Sequence, residues 1–207
     1  IHDLWRGKLA SRPLYGLVLA GGMSRRMGQD KGLLHYRGQP QAIRTYETLE
    51  GLGIRSFLSL REDQWNPESR AGLPILHDQF QGLGPLGGIL TAMQKAPDAA
   101  WLVVACDLPL LHGSVIEHLR DQRQPQKMAT AYRSSSNGMP EPLCAIYEPA
   151  IRNRLFEALG LGLSCPRKVL LNTPCALLEP LDPLALTNIN TPEEYKEIKS
   201  QLQEIAL

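Results

Sequence analysis

LAGGMSRRMGQDK, at residues 19–31, is a glycine-rich stretch at the end of the short apolar run YGLVL, residues 15–19. Short apolar runs bounded by turn residues are typical of buried parallel strands. Gly21 and Gly22 have no Cβ, so the backbone can turn sharply there and approach a ligand closely. The sequence therefore predicts a β-strand that ends in a tight, ligand-binding loop.

Three cations, Arg25, Arg26 and Lys31, lie in the same stretch. Successive backbone N–H groups in a glycine turn form an anion-binding concavity, and the cations add positive charge around it. Phosphate is the expected ligand, and an ordinary strand-to-helix loop with solvated cations is the alternative. A P-loop is excluded because two residues separate Gly28 from Lys31, and the dinucleotide fingerprint G-x-G-x-x-G is missing.

Composition limits the class of protein. The chain has 207 residues, a net charge of +1 and four cysteines without C-x-x-C spacing. The length predicts one domain, residues 14–207, after an N-terminal extension of residues 1–13. The balanced charge argues against nucleic acid or an anionic membrane as partner, and there is no apolar run of about 18 residues. The cysteines are expected to be buried free thiols in a reducing cytoplasm.

Short apolar runs alternate with amphipathic stretches, which predicts a mostly parallel central sheet with helices on both faces, an α/β fold of the Rossmann-like three-layer α/β/α type. Further strands are predicted at 56–60, 73–76, 101–105, 128–132 and 143–147. Helices are predicted at 41–52, 84–95 and 150–159 and from Thr191-Pro192 onward. Between the helix at 150–159 and Pro183 the pattern defines no clear element.

Candidate site residues stand where predicted strands end. Ligands of such sheets collect at the carboxyl ends of the strands, so Ser59, Asp78 and Asp107 are expected to converge with the glycine-rich stretch. A carboxylate at position 107 is well placed to hold Mg²⁺, which prefers one or two carboxylates together with phosphate oxygens. A turn or helix-cap aspartate before Pro109 is the alternative.

Four motifs resemble those of one enzyme family. Residues 19–31 resemble the signature L-A-G-G-x-x-x-R-M-G-x-D-K of sugar-phosphate-type nucleotidyltransferases, and among them the molybdenum cofactor guanylyltransferases. CDLP at 106–109 matches the family's C-D-x-P, and NINTPEE at 188–194 resembles its N-[VI]-N-T-P-E-E. Asp78 with GPLGG at 84–88 is similar to a further family pattern. The resemblance implies a nucleotidyltransferase fold.

The resemblance also implies roles for individual residues. Arg25 and Lys31 would stabilise the departing pyrophosphate, with Arg26 as the alternative to Arg25, and Asp107 would be the metal ligand. Residues 141–143 fall where the family places its acceptor-binding loop. The residues expected to bind the nucleotide are Leu19, Ala20, Gly21, Gly22, Lys31, Ser59 and Asp78. For Ser59, which aligns with a position that contacts the base, a plain strand-end serine is the alternative.

Asn188 and Asn190 are candidates for the pterin or for a second metal contact. Two residues apart in an extended segment, they are predicted to point the same way and to offer amide oxygens or N–H groups. Thr191 is predicted to cap the final helix, because Pro192 and Glu194 complete a capping box.

The implied reaction is the transfer of GMP from GTP to the terminal phosphate of molybdenum-bearing molybdopterin, with Mg²⁺, giving molybdopterin guanine dinucleotide and pyrophosphate. Molybdopterin-delivering proteins or molybdoenzyme chaperones are the protein partners that this implies. The alternatives are a related nucleotidyltransferase that uses CTP or another phosphorylated acceptor, and a non-catalytic nucleotide-binding adaptor in cofactor assembly.

Overall fold

The computed structural model describes residues 12–22, 30–70 and 72–204. The strands in these ranges are β1 (Leu14–Leu19), β2 (His35–Tyr36), β3 (Gln39–Pro40), β4 (Ser56–Leu60), β5 (Ile75–His77), β6 (Ala100–Ala105), β7 (Ala129–Arg133), β8 (Pro140–Tyr147) and β9 (Cys175–Leu178). The α-helices are α1 (Gln41–Gly51), α2 (Pro67–Arg70), α3 (Pro85–Lys95), α4 (Gly113–Asp121), α5 (Arg152–Gly160), α6 (Pro166–Leu171) and α7 (Pro192–Glu204).

Seven strands form the central sheet in the order β5-β4-β1-β6-β8-β7-β9, while β2 and β3 form a separate small ribbon. Strands β5, β4, β1 and β6 pair in parallel, and β7 pairs in parallel with β9. Strand β8 is antiparallel to both of its neighbours. The expectation of an α/β fold with a mostly parallel sheet is confirmed.

Alternating side chains of the strands bury both faces of the sheet. In β1, Leu17 and Leu19 pack into a core with α3, α5 and α6, whereas Val18 packs into a second core with α1 and α4. Because both faces are covered by helices, the central strands are apolar throughout, as the run AWLVVA of β6 shows. The three-layer arrangement follows from this double coverage.

Hydrogen bonds continue the sheet past the carboxyl ends of its parallel strands. The Ala20 N–H donates to the Ser59 carbonyl at 3.1 Å, and the Cys106 N–H donates to the Leu19 carbonyl at 3.1 Å. The Asp78 N–H donates to the Leu60 carbonyl at 2.9 Å. The loops that leave β1, β4, β5 and β6 therefore begin side by side. Strand β8 runs the other way, so its first residues lie at this same edge of the sheet.

The stretch after α5 contains elements that the sequence pattern left undefined. Helix α6 has six residues and β9 has four, and β9 adds to the sheet edge beside β7. Elements this short carry too few residues to show a helical or alternating period. The prediction of buried thiols is right for Cys106 and Cys144, wrong for Cys165, which is exposed just before α6, and only partly met by the half-buried Cys175. None of the helices described is long and apolar enough to cross a membrane.

Candidate active site

A cleft of about 370 Å³ opens at the carboxyl edge of the sheet. The predicted site residues that line it are Leu19, Ala20, Gly21, Gly22, Lys31, Ser59, Asp78, Asp107 and Asn190. Gly84, Pro85, Ala105, Cys106 and Leu143 complete its described lining. Residues up to 171 positions apart in the sequence thus meet at one place, as convergence of the strand ends predicts.

Lys31 connects the glycine-rich stretch to β6 and to the C-terminal segment. Its Nζ donates to Asp107 Oδ2 at 3.3 Å and to Asn190 Oδ1 at 2.8 Å. The ammonium lies at the start of the 3₁₀ turn Lys31–Leu33, whose first turn is capped by Asp30. One cation is therefore held between a carboxylate and an amide oxygen at the floor of the cleft.

Asp107 is the carboxylate best placed to hold a metal. Its Oδ1 is buried and has no hydrogen-bond partner in the part of the chain that the structure describes. Burial raises the pKa of Asp107 above its ordinary value, and the neighbouring Lys31 ammonium opposes that rise. Asp107 lines the cleft, and a buried carboxylate oxygen without a partner is suited to a hard cation such as Mg²⁺.

The rest of a magnesium shell would have to come from elsewhere. Within residues 12–22, 30–70 and 72–204, no three His, Cys, Asp or Glu side chains cluster to hold a metal. Mg²⁺ commonly keeps several waters and takes substrate phosphate oxygens beside one or two carboxylates. The donor set therefore fits a cation that arrives with a nucleotide better than a permanently caged ion.

Ser59 and Asp78 form a second polar pair in the cleft. Ser59 is buried, and its Oγ donates to Asp78 Oδ1 at 2.5 Å. Burial raises the pKa of Asp78, while the Ser59 hydrogen bond and the charge of Arg61 lower it. Two glycines make room for the pair: a Cβ on Gly21 would lie 2.9 Å from Asp78 Oδ2, and one on Gly88 would clash with Ser59 Oγ.

The C-terminal segment is fixed against β6 by its backbone. The Ile189 N–H donates to the Asp107 carbonyl at 3.0 Å, and the Asn190 N–H donates to Glu194 Oε2 at 2.7 Å. Glu194 also accepts from the Thr191 N–H and donates its own N–H to Thr191 Oγ1, so the predicted capping box is confirmed.

The two asparagines do not share one environment. Asn190 lines the cleft, whereas Asn188 is exposed and is absent from the described cleft lining. Residues 187–190 form no regular strand, so the alternation expected of an extended segment does not apply there. Arg25 and Arg26 lie outside the described residues.

Sequence reasoning missed the loop that follows β4. A wider space of about 700 Å³ adjoins the cleft, and the two share Gly21, Gly22, Asp78, Gly84 and Pro85. Its further lining comes mainly from two loops, with Arg61, Glu62 and Asp63 on one and Phe80, Gln81 and Gly82 on the other. The sequence offers one signal for this loop, which is its position: Arg61 directly follows Leu60, the last residue of β4.

A glycine turn, a lysine and a carboxylate meet here at the carboxyl edge of a mostly parallel sheet, which is where such sheets bind their ligands. Residues 16–174 match the model of the MobA-like NTP transferase domain. The chain belongs to this family, and its predicted resemblance to the molybdenum cofactor guanylyltransferases is confirmed.

Two relatives with assigned names support the family. A molybdenum cofactor biosynthesis bifunctional protein of Synechocystis sp. is 40% identical over 193 residues, which are 93% of this chain and 56% of that protein. A molybdenum cofactor guanylyltransferase of Shewanella sediminis is 31% identical over 192 residues, covering 90% of this chain and 95% of that protein. The chain thus spans about half the length of the first relative and nearly all of the second.

Solved structures share the fold. Molybdopterin-guanine dinucleotide biosynthesis protein A from Archaeoglobus fulgidus superposes with a TM-score of 0.77 at 22% identity, over 92% of this chain and 99% of that one. A nucleotidyl transferase from Methanothermobacter thermautotrophicus gives a TM-score of 0.75 at 16% identity, over 93% and 99%. At these sequence identities the structural similarity supports the fold alone.

Proposed function

We propose that this chain transfers GMP from GTP to the terminal phosphate of molybdenum-bearing molybdopterin, forming molybdopterin guanine dinucleotide and pyrophosphate. The observation that carries the proposal is the Lys31–Asp107 pair at 3.3 Å in the cleft, with Asp107 Oδ1 unpartnered among the described residues. A fixed cation beside a carboxylate that is free to bind a metal suits a triphosphate. The names of the relatives supply the substrates GTP and molybdopterin.

The proposed reaction does not need a general base. A phosphate monoester is already anionic at neutral pH, so the acceptor can attack the α-phosphorus of GTP without losing a proton to the protein. Catalysis then rests on positioning the two substrates and on neutralising charge that grows on the pyrophosphate. In this mechanism the glycine turn binds phosphate oxygens through its N–H groups, and Lys31 stabilises the leaving group.

Mg²⁺ is the metal that we propose for Asp107. When bound, it would neutralise part of the triphosphate charge. Asp107 would hold it through Oδ1, while Asp107 Oδ2 keeps its contact with Lys31. Asn190 would keep Lys31 in place from the other side. Arg25 is proposed to assist Lys31 at the phosphates, and Asn188 stays a candidate contact for the pterin.

The wider space beside the cleft is our candidate for the guanine base. Glu62, Asp63 and Asp78 line it, and carboxylates accept hydrogen bonds from N–H donors. Guanine presents adjacent N1–H and N2–H donors on its Watson–Crick edge, which suits an acidic lining. We place the reaction in the cytoplasm, where the free cysteines would stay reduced.

Pyrophosphate release with molybdopterin and Mg²⁺, measured in parallel for GTP, CTP and ATP, tests the proposal. Turnover that requires the acceptor and prefers GTP supports it. A preference for CTP would instead assign the chain to cytidylyl transfer. Nucleotide binding without release of pyrophosphate would identify a binding adaptor, and both of these outcomes contradict the proposal.

A further inference from the structure

One side chain outside the cleft joins the two ends of the glycine-rich stretch. Gln64, in the loop after β4, donates from Nε2 to the Ala20 carbonyl at 2.5 Å and to Asp30 Oδ2 at 2.6 Å. Its Oε1 accepts from the Arg61 N–H at 3.1 Å. These contacts require an amide that donates on one side and accepts on the other, so the orientation of Gln64 is fixed.

The second end of the stretch is held by more than Gln64. Asp30 Oδ2 also accepts from Trp65 Nε1 at 3.1 Å, and Asp30 Oδ1 accepts from the Gly32 N–H at 2.9 Å. The indole is buried and packs against Gly32, where a Cβ would lie 3.0 Å from Trp65 Cζ2. Asp30 thereby fixes the turn that begins with Lys31.

The first end is held from the same loop. The Arg61 guanidinium donates from Nη1 to the Gly21 carbonyl, next to the carbonyl that Gln64 binds. Both donors thus satisfy backbone carbonyls at the point where the chain leaves β1. Gln64 itself is not among the described residues that line the cleft, so any influence on a ligand passes through Ala20 and Asp30.

We infer that Gln64 is a positioning residue for nucleotide binding and transfer: it holds Ala20 and Asp30 and thereby sets Lys31 against Asp107. The inference deepens the proposed function and rests on it. The contact with Ala20 fixes the residue that precedes the two glycines, and the contact with Asp30 fixes the residue that precedes Lys31.

The test compares Gln64→Leu and Gln64→Glu with the matched control Gln126→Glu. Gln126 is exposed and precedes β7 at the opposite edge of the sheet, and its amide donates to Gln124. In both position-64 variants we expect kcat/KM for GTP to fall on the order of 100-fold, the loss that a shift of about 1 Å in a reacting group causes. The kcat/KM of the control for GTP should stay within about threefold of that of the parent chain.

A pH profile separates positioning from a merely structural role. In Gln64→Glu the new carboxylate faces the Asp30 carboxylate and the Ala20 carbonyl, with the Arg61 guanidinium nearby. The negative charge of Asp30 favours protonation of the new side chain, which then regains one O–H donor. As pH falls from 8 to 6, the kcat/KM of Gln64→Glu relative to that of the parent chain should therefore rise about tenfold, the equivalent of one pKa unit. Gln64→Leu has no donor to regain and should show a flat ratio.

Unfolding midpoints and nucleotide affinity complete the experiment. Both variants should unfold within a few degrees of the parent chain while calorimetry shows weakened GTP binding. If kcat/KM and GTP affinity stay within about threefold of the parent chain, or if the ratio for Gln64→Glu ignores pH, the inference is overturned. If the parent chain binds nucleotide but releases no pyrophosphate, the proposed function fails separately, and affinity alone then decides the role of Gln64.

Discussion

The two halves of the sheet differ in strand direction and in what they bring to the cleft. In the half made of β5, β4, β1 and β6 all strands are parallel, and each carboxyl end delivers a polar residue or a glycine turn. In the half made of β8, β7 and β9, β8 is reversed and delivers its beginning, with Leu143 at the cleft. We interpret the first half as the nucleotide side and the second as the acceptor side. The difference shows that a reversed strand can supply one site from a second direction.

The largest effect should come from the parallel half, at Asp107. Asp107→Asn keeps the shape of the side chain but removes the negative charge proposed to hold Mg²⁺ and to face Lys31. We expect kcat to fall by about 10³-fold or more, as for other groups that hold charge in a transition state. Pyrophosphate release over a range of Mg²⁺ concentrations measures this. Near-normal turnover at saturating Mg²⁺ would remove Asp107 from the mechanism.

Asp182→Asn is the matched control for that change. Asp182 is a solvent-exposed carboxylate that pairs with His112 and caps the 3₁₀ turn Pro183–Leu186. Its loss should leave turnover within about threefold of the parent chain, because it removes no charge from the transition state.

Lys31→Ala should have the next largest effect. It removes the ammonium that contacts both Asp107 and Asn190, and with it the charge proposed to face the pyrophosphate. We expect a loss in kcat of about 10²- to 10³-fold, with GTP affinity reduced as well. Steady-state kinetics and calorimetry measure the two. A variant that keeps parental kcat would show that Lys31 only orders the C-terminal segment.

A smaller effect is expected at Gly21, where the backbone of the parallel half lies close to the Asp78 side chain. In Gly21→Ala the new Cβ would lie 2.9 Å from Asp78 Oδ2, so the Ser59–Asp78 pair must shift. We expect nucleotide affinity to fall by about 10-fold, or 1.4 kcal/mol. Gly51→Ala is the control, because Gly51 ends helix α1 and, apart from its chain neighbours and the backbone of its own helix, no described atom would lie within 4 Å of the new Cβ. Equal GTP affinities in the two variants would refute the need for a glycine at position 21.

The smallest effect should come from the mixed half. Arg167 donates to the Pro140 carbonyl and to Glu141 Oε2, both at 3.1 Å, and so supports the beginning of β8 next to Leu143. Arg167→Ala should raise KM for molybdopterin several-fold and leave GTP affinity unchanged, since no described nucleotide-side residue contacts it. Titrating both substrates checks this. Weakened GTP binding with an unchanged KM for the acceptor would reverse our assignment of the two halves.

The sequence pattern predicted the parallel half well because its information is local. Each strand there contains a short apolar run, and the site residues stand at or just after its end, as Asp107 stands two residues after β6 and Asp78 one residue after β5. Parallel topology then brings these ends together without further information. The capping box at Thr191 was readable for the same reason, because its partner lies three residues away.

What escaped prediction depends on contacts between segments far apart in the sequence. Gln64 bonds Ala20 and Asp30, and nothing in the pattern around it distinguishes it from a solvated loop residue. Asn190 accepts from the distant Lys31 whereas Asn188 is exposed, and no periodicity reveals this difference. Elements α6 and β9 were missed because they are too short to show a period.

Calorimetric titration of the chain with GTP, CTP and ATP in the presence of Mg²⁺ is the most direct test of a guanine-nucleotide site at the carboxyl edge of the parallel half. We predict that GTP binds at least about tenfold more tightly than the other two, a difference of about 1.4 kcal/mol, and that Asp107→Asn weakens it. Preferential binding of CTP or ATP, equal binding of all three, or GTP binding that ignores Asp107→Asn would contradict the account.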